Sequence, residues 1–321
     1  MTLVPALVTA QPLAAALARR EERRGTAPGR GVALVTDGGS RVPAAALAAA
    51  ALQVTGLLGP DALESLAWAA EEGLPRAYAD LPALLADDID AVAIDVPPPR
   101  SDLLLDAAVR AGLGVLLTVP HTSDPDRLLR VLMAAEEADL PHAVAMTGRA
   151  DAAYAAVSEQ LPALGPLRQL TAAGWPAGKP PRAELVDVVR RWCGDVLAVC
   201  ADPSAMPAPA LGDEPVSLAL LTESGATVLA SERFGARQVG CLLTLVGERG
   251  RLVLSGTSLR TPAGLLTMER ADPAAGVRLA AGGLLRREAT GCADLRDLAI
   301  ASRVLAAVEQ SRTEGGWVEL A

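Results

Sequence analysis

The apolar run Val115-Leu116-Leu117 leads into the turn Thr118-Val119-Pro120, and the next residue is His121, one of two histidines in the chain. An imidazole titrates near neutral pH, so His121 at the end of such a strand can act as a general acid or base. The plainer role for a histidine beside a loop proline is structural. A second group of candidates lies in "KPPRAELVDVVRRWCG". Glu184 and Asp187 stand three apart on one helix face, as a carboxylate pair or, more simply, a solvated acidic edge. Lys179 is the sole lysine of the chain and can supply an ammonium to proton transfer, although a loop lysine is ordinarily a surface charge.

A third group is the glycine-rich turn "TDGGSRV". A dinucleotide-binding turn needs one glycine for tightness, a second where the backbone meets the pyrophosphate, and a small residue where helix meets strand. Thr36 takes the first place, Gly38 keeps the second, and Arg41 takes the third, with Gly39 adding freedom between them. Arg41 can bind a phosphate directly, but its bulk opposes close packing of the helix. At the end of the next strand, Gly59 stands where an acid would bind the ribose, and Asp61 is expected to cap the following helix. Loss of that acid signals NADP preference only beside an arginine, and "LLGPDALES" contains none.

These residues are carried by an alternating pattern. The runs 32–36, 54–59, 90–97, 114–120 and 142–148 read as strands. Helical segments at 42–52, 61–73, 81–88, 101–112 and 124–139 separate them. That alternation predicts βαβ units and a parallel sheet with helices on both faces, with ligands at the carboxyl ends of the strands. Beyond about residue 150 the texture changes. Residues 174–182 read as a Pro/Gly-rich loop. A helix follows, and β-like stretches at 216–222, 226–234, 238–247, 250–256 and 265–270 predict a mostly antiparallel sheet. A last helix is expected over 295–312.

Bulk properties narrow the function classes. The chain has 321 residues, 51% of them hydrophobic, and a mean hydropathy of +0.30, enough for two domains with their own cores. Its net charge of −9 argues against nucleic acid or an anionic membrane as partner. Cys193, Cys200, Cys241 and Cys292 form no CxxC pair, so no metal site is expected and the thiols read as buried and reduced. No stretch is long and apolar enough for a membrane span. The N-terminal segment lacks the basic start of a signal peptide and reads as an amphipathic arm, so a cytoplasmic protein is expected.

The order of several segments resembles the glucose–fructose oxidoreductase / inositol dehydrogenase (Gfo/Idh/MocA) family. "GLPRAYADLPALLADDIDAVAIDVPPPRSDLLLDAAVRAGLGVLLTVP" resembles the segment from the family's second to fourth strands. "GRADAAY" resembles the arginine-containing opening of its second domain, "VGERGRLVL" its later strand turn, and "VLAAVEQSRTEGGWVEL" its C-terminal ending. The resemblance implies a Rossmann domain holding NAD or NADP and a sheet-rich domain holding a sugar-like alcohol or ketone. It also implies a lysine in a Glu-Lys-Pro turn, and an aspartate and histidine on a helix. Val119 stands where that lysine would be. In one register Glu184 takes the histidine place and Pro180 the aspartate place; in the other, Asp187 is the aspartate and Arg191 replaces the histidine. Pro97 and Ser101 fall on a third site element, Ser101 where the family commonly has a histidine, with Arg100 as the charged reach toward a ligand.

The expected fold is α/β, with a Rossmann-like parallel-sheet domain followed by an α+β domain. Residues 1–30 form an arm and linker, 31–148 the dinucleotide-binding-type domain, and 149–321 the substrate and oligomerisation domain. The expected function is that of an NAD(P)-dependent oxidoreductase scaffold with weakened or lost hydride transfer. The alternatives are a non-catalytic subunit that binds a metabolite or partner, and a redox-neutral lyase or isomerase. Expected partners are a small molecule and a second copy of the chain or an active paralogue.

Overall fold

The computed structural model describes residues 31–38, 42–118, 124–176, 179–201, 217–233, 242–269, 272, 274–286 and 291–320. His121, Gly39, Arg41, Val119 and Cys241 lie outside them. The described residues divide into two compact units, the first made of 31–118, 129–145 and 277–295, the second of 124–128, 146–276 and 296–320.

The first unit is built on a parallel sheet. Its strands are β1 (Gly31–Thr36), β2 (Gln53–Leu58), β3 (Ala91–Asp95), β4 (Gly114–Leu117) and β5 (His142–Val144), in the order β2-β1-β3-β4-β5. Every residue of β1, β3 and β4 is buried, as expected of strands covered on both faces, and their sequences are accordingly continuous apolar runs. The helices between them are α1 (Val42–Ala49), α2 (Ala62–Glu71), α3 (Leu81–Ala86), α4 (Arg100–Arg110) and α5 (Pro125–Glu137). Asp61 and Asp80 cap α2 and α3 by accepting the N–H of Glu64 and Ala83. A parallel bridge between Leu57 and Ala77 extends the sheet beyond β2, at the third-strand place of the doubly wound order. The order reverses direction at β1, so the carboxyl ends of β1 and β3 flank the crevice where such folds bind ligands.

The second unit contains α6 (Ala152–Leu164), β6 (Leu167–Pro176), α7 (Lys179–Cys193), β7 (Val196–Ala201), β8 (Ser217–Thr222), β9 (Thr227–Arg233), β10 (Leu242–Gly247), β11 (Gly250–Ser255), β12 (Ser258–Thr261), β13 (Gly264–Thr267) and β14 (Trp317–Glu319). Helix α8 (Ala275–Arg286) belongs mostly to the first unit, and α9 (Leu295–Glu314) mostly to the second. The strands form one nine-stranded sheet, antiparallel except where β6 pairs with β9. The segment read as a Pro/Gly-rich loop over 174–182 is divided between the end of β6 and the start of α7. Three of its prolines stand at a strand end or in a first helical turn, where a missing N–H is tolerated.

Candidate functional site

Three strands of the first unit end in polar residues that hold one another. Thr36 ends β1, Asp95 ends β3, and Thr118 follows β4, all buried. Thr118 Oγ1 donates to Asp95 Oδ1 at 2.6 Å, and Thr36 Oγ1 donates to Asp95 Oδ2 at 3.3 Å. Burial pushes the Asp95 carboxyl above the ordinary carboxylate range, against the pull of the two threonine hydroxyls. Thr36 Oγ1 also accepts the Gly38 N–H at 3.1 Å. The Gly38 N–H of the glycine-rich turn is therefore directed to Thr36, with a carboxyl group behind it.

The end of β2 is equally occupied. The Gly59 N–H donates to Ser65 Oγ at 2.8 Å, and Ser65 Oγ donates to the Asp61 carbonyl. Arg100 Nη2 donates to the Gly59 carbonyl at 2.8 Å, so the fold brings to this strand end an arginine that the neighbouring sequence lacks. The Trp68 ring of α2 stands against the same glycine. Ser101 is buried at the start of α4, where its N–H donates to the carbonyl of the exposed Pro97 at 3.2 Å.

In the second unit, Lys179 opens α7 as its first residue. Glu184 and Asp187 share that helix but have separate partners. Glu184 Oε1 accepts the Thr147 N–H at 2.8 Å, and burial raises its carboxyl above the usual range despite that bond. Asp187 is buried and paired with Arg149, whose Nε donates to Oδ2 at 3.0 Å and Nη2 to Oδ1 at 2.5 Å. Arg149 Nη2 also donates to Asp297 at 2.7 Å, and Asp297 accepts from Arg190. Burial works against the Arg149 charge, but the two carboxylates outweigh it and hold its pKa above the ordinary arginine value. The predicted acidic edge is thus a buried carboxyl at Glu184 and a buried ion pair at Asp187.

Among the described residues, sequence reasoning passed over Asp95, Thr118, Trp68 and Arg149 as site residues. A signal was present for two of them. Asp95 is an acid inside the otherwise apolar strand "AVAID", and Arg149 lies within "GRADAAY".

A family model for the Gfo/Idh/MocA oxidoreductases, NAD-binding Rossmann fold, matches residues 32–146. Residues 32–146, about a third of the chain, are thus similar to that family's NAD-binding domain. An inositol 2-dehydrogenase from Leifsonia xyli subsp. xyli is 41% identical to it over 90 residues, which span 28% of this chain and 26% of that protein. The match thus covers about a quarter of the relative's length. Among solved structures, an oxidoreductase from Agrobacterium radiobacter in complex with NAD+, L-tartaric acid and magnesium superposes with a TM-score of 0.78. Its identity is 17%, with 90% of this chain and 98% of that one covered. A putative myo-inositol dehydrogenase from Sinorhizobium meliloti gives 0.75 at 19% identity, covering 91% and 99%. These likenesses show that nearly the whole chain shares the fold of those solved structures.

Against that fold, the described residues do not fit a dinucleotide in its usual seat. The Gly38 N–H points to Thr36 rather than outward, Gly59 offers neither a carboxylate nor a free backbone group, and an indole lies beside both.

Proposed function

We propose that this Gfo/Idh/MocA protein retains the oxidoreductase scaffold while its nicotinamide-dependent hydride transfer is lost or strongly weakened, and that it serves as a metabolite-binding or partner subunit. One observation carries the reading: the Gly38 N–H is engaged by Thr36 Oγ1, which is itself tied to the buried Asp95. A pyrophosphate is held by outward backbone N–H groups and a favourable field. Here the described donor faces inward, and a carboxylate would oppose the anion.

Sequence agrees on the catalytic side, where Val119 replaces the lysine of the family's turn and offers no proton. Loss of acid–base assistance alone costs roughly 10²–10⁴-fold in rate, so the failure to seat the cofactor is the decisive term. The sugar-like or cyclitol chemistry named for its relatives remains the ligand class to test. Incubation with NAD+ or NADP+ and a panel of cyclitols and sugars is expected to give no nicotinamide absorbance; steady reduction of either cofactor would overturn the reading.

Self-association forms part of the proposal. In the second unit's sheet, Leu220, Val228, Leu243 and Leu245 are buried, while Leu221, Leu229 and Leu242 alternate outward and are each at least 40% exposed. A sedimentation mass above one chain is expected at micromolar concentration; a monomer would remove this part.

A further inference from the structure

Trp68 lies in the second turn of α2, and its ring reaches the ends of two neighbouring strands. A methyl group built on Gly38, just past β1, would stand 2.5 Å from Trp68 Cζ2 and closer still to Cη2. One built on Gly59, just past β2, would stand 3.2 Å from Cζ3. Side chains do not approach a Cβ at the first distance, so the ring requires bare backbone at Gly38 and a tight fit at Gly59. The ring is partly buried.

The space it fills has a definite meaning in a doubly wound sheet. Between the glycine turn after the first strand and the residue ending the second, such folds place the adenosine ribose of a dinucleotide. Here both glycines serve the indole instead. Gly38 has φ +83°, and its N–H is turned to Thr36. The remaining backbone groups of Gly59 are satisfied by Ser65 and Arg100. Arg100 reaches the end of β2, where an arginine would meet a ribose 2′-phosphate.

We infer that the Trp68 indole occupies the adenosine-ribose place of this crevice and closes it to dinucleotides. The inference rests on the proposed loss of cofactor binding and assigns part of that loss to one removable side chain. Removing the ring opens a place beside Arg100 and a Gly59 where an acid would bind the ribose, so the opened site takes NADPH in preference to NADH.

Calorimetric titration of the full chain with NADPH and NADH tests this in the wild type, Trp68→Ala and Trp68→Leu. The leucine variant keeps apolar cover over α2 in case the alanine variant fails to fold. At least about tenfold tighter NADPH binding in a folded variant than in the wild type is expected. No gain in a variant whose circular dichroism and melting match the wild type overturns the inference and leaves the functional proposal standing. Tight binding by the wild type overturns both.

Discussion

At the ends of β1 and β2, an aromatic ring stands on bare glycine backbone and the polar groups are turned toward one another. On α7 of the second unit the opposite holds: charges are retained, and Asp187 is locked by Arg149 while Arg149 is shared with Asp297. The first region sets an apolar ring beside internally paired backbone groups, and the second pairs its charges into a framework. Filling and pairing leave different marks on stability.

The largest expected effect is in the ion-pair network. Arg149 and Asp187 are 11% and 3% exposed, so Asp187→Ala leaves a guanidinium short of a partner in a dry place. Removing one member of a buried pair costs about 3 kcal/mol or more, with Asp297 tempering the loss. Urea unfolding that showed no destabilisation would mean that these charges are not structural, and the contrast between the two regions would fail.

A smaller effect is expected at the glycine turn. Gly38→Ala should cost about 1–2 kcal/mol from the left-handed backbone alone, plus the clash with Trp68. In a Trp68→Ala background only the backbone part remains, so the two substitutions are strongly non-additive. Additive costs would say that ring and glycine do not touch.

The smallest effect sharpens the contrast within α7. Because burial raises the Glu184 carboxyl, the folded protein takes up that proton more readily than the unfolded chain. The associated stability is present below the ordinary carboxylate range and is lost as pH rises through the higher folded value. Glu184→Gln, which keeps an acceptor for the Thr147 N–H, should be more stable than wild type at neutral pH, with the gain fading in acid. A variant less stable at neutral pH would show that the ionised carboxylate is favourably held.

The parallel half of the fold was legible because three of its strands are buried apolar runs separated by helical segments: "VALVT" lies within an observed strand, and "DAVAIDVP" and "GVLLTVP" each contain one. The antiparallel half was read in part. Strands β8 to β11 follow the expected segments, but β6, the ten-residue strand beside β9 and β10, was not anticipated. Its "LRQLTAAGWP" is rich in small residues and ends in proline, so neither alternation nor β-branched content marks it. In the site, Thr36, Gly38 and Gly59 were legible because a local turn pattern names them. Arg100 was named as a charged reach toward a ligand, but its bond to Gly59 was not legible, and neither was Trp68, because each reaches Gly59 from a different element. Asp187 was read as an exposed edge because its partner Arg149 lies 38 residues away in sequence.

The most direct test is a titration of the purified wild-type chain with NADH and NADPH, followed by nicotinamide fluorescence. A response that stays linear, without saturation, is what the inward-facing Gly38 N–H and the Trp68 ring require. Saturation by either cofactor at low micromolar concentration would contradict the account.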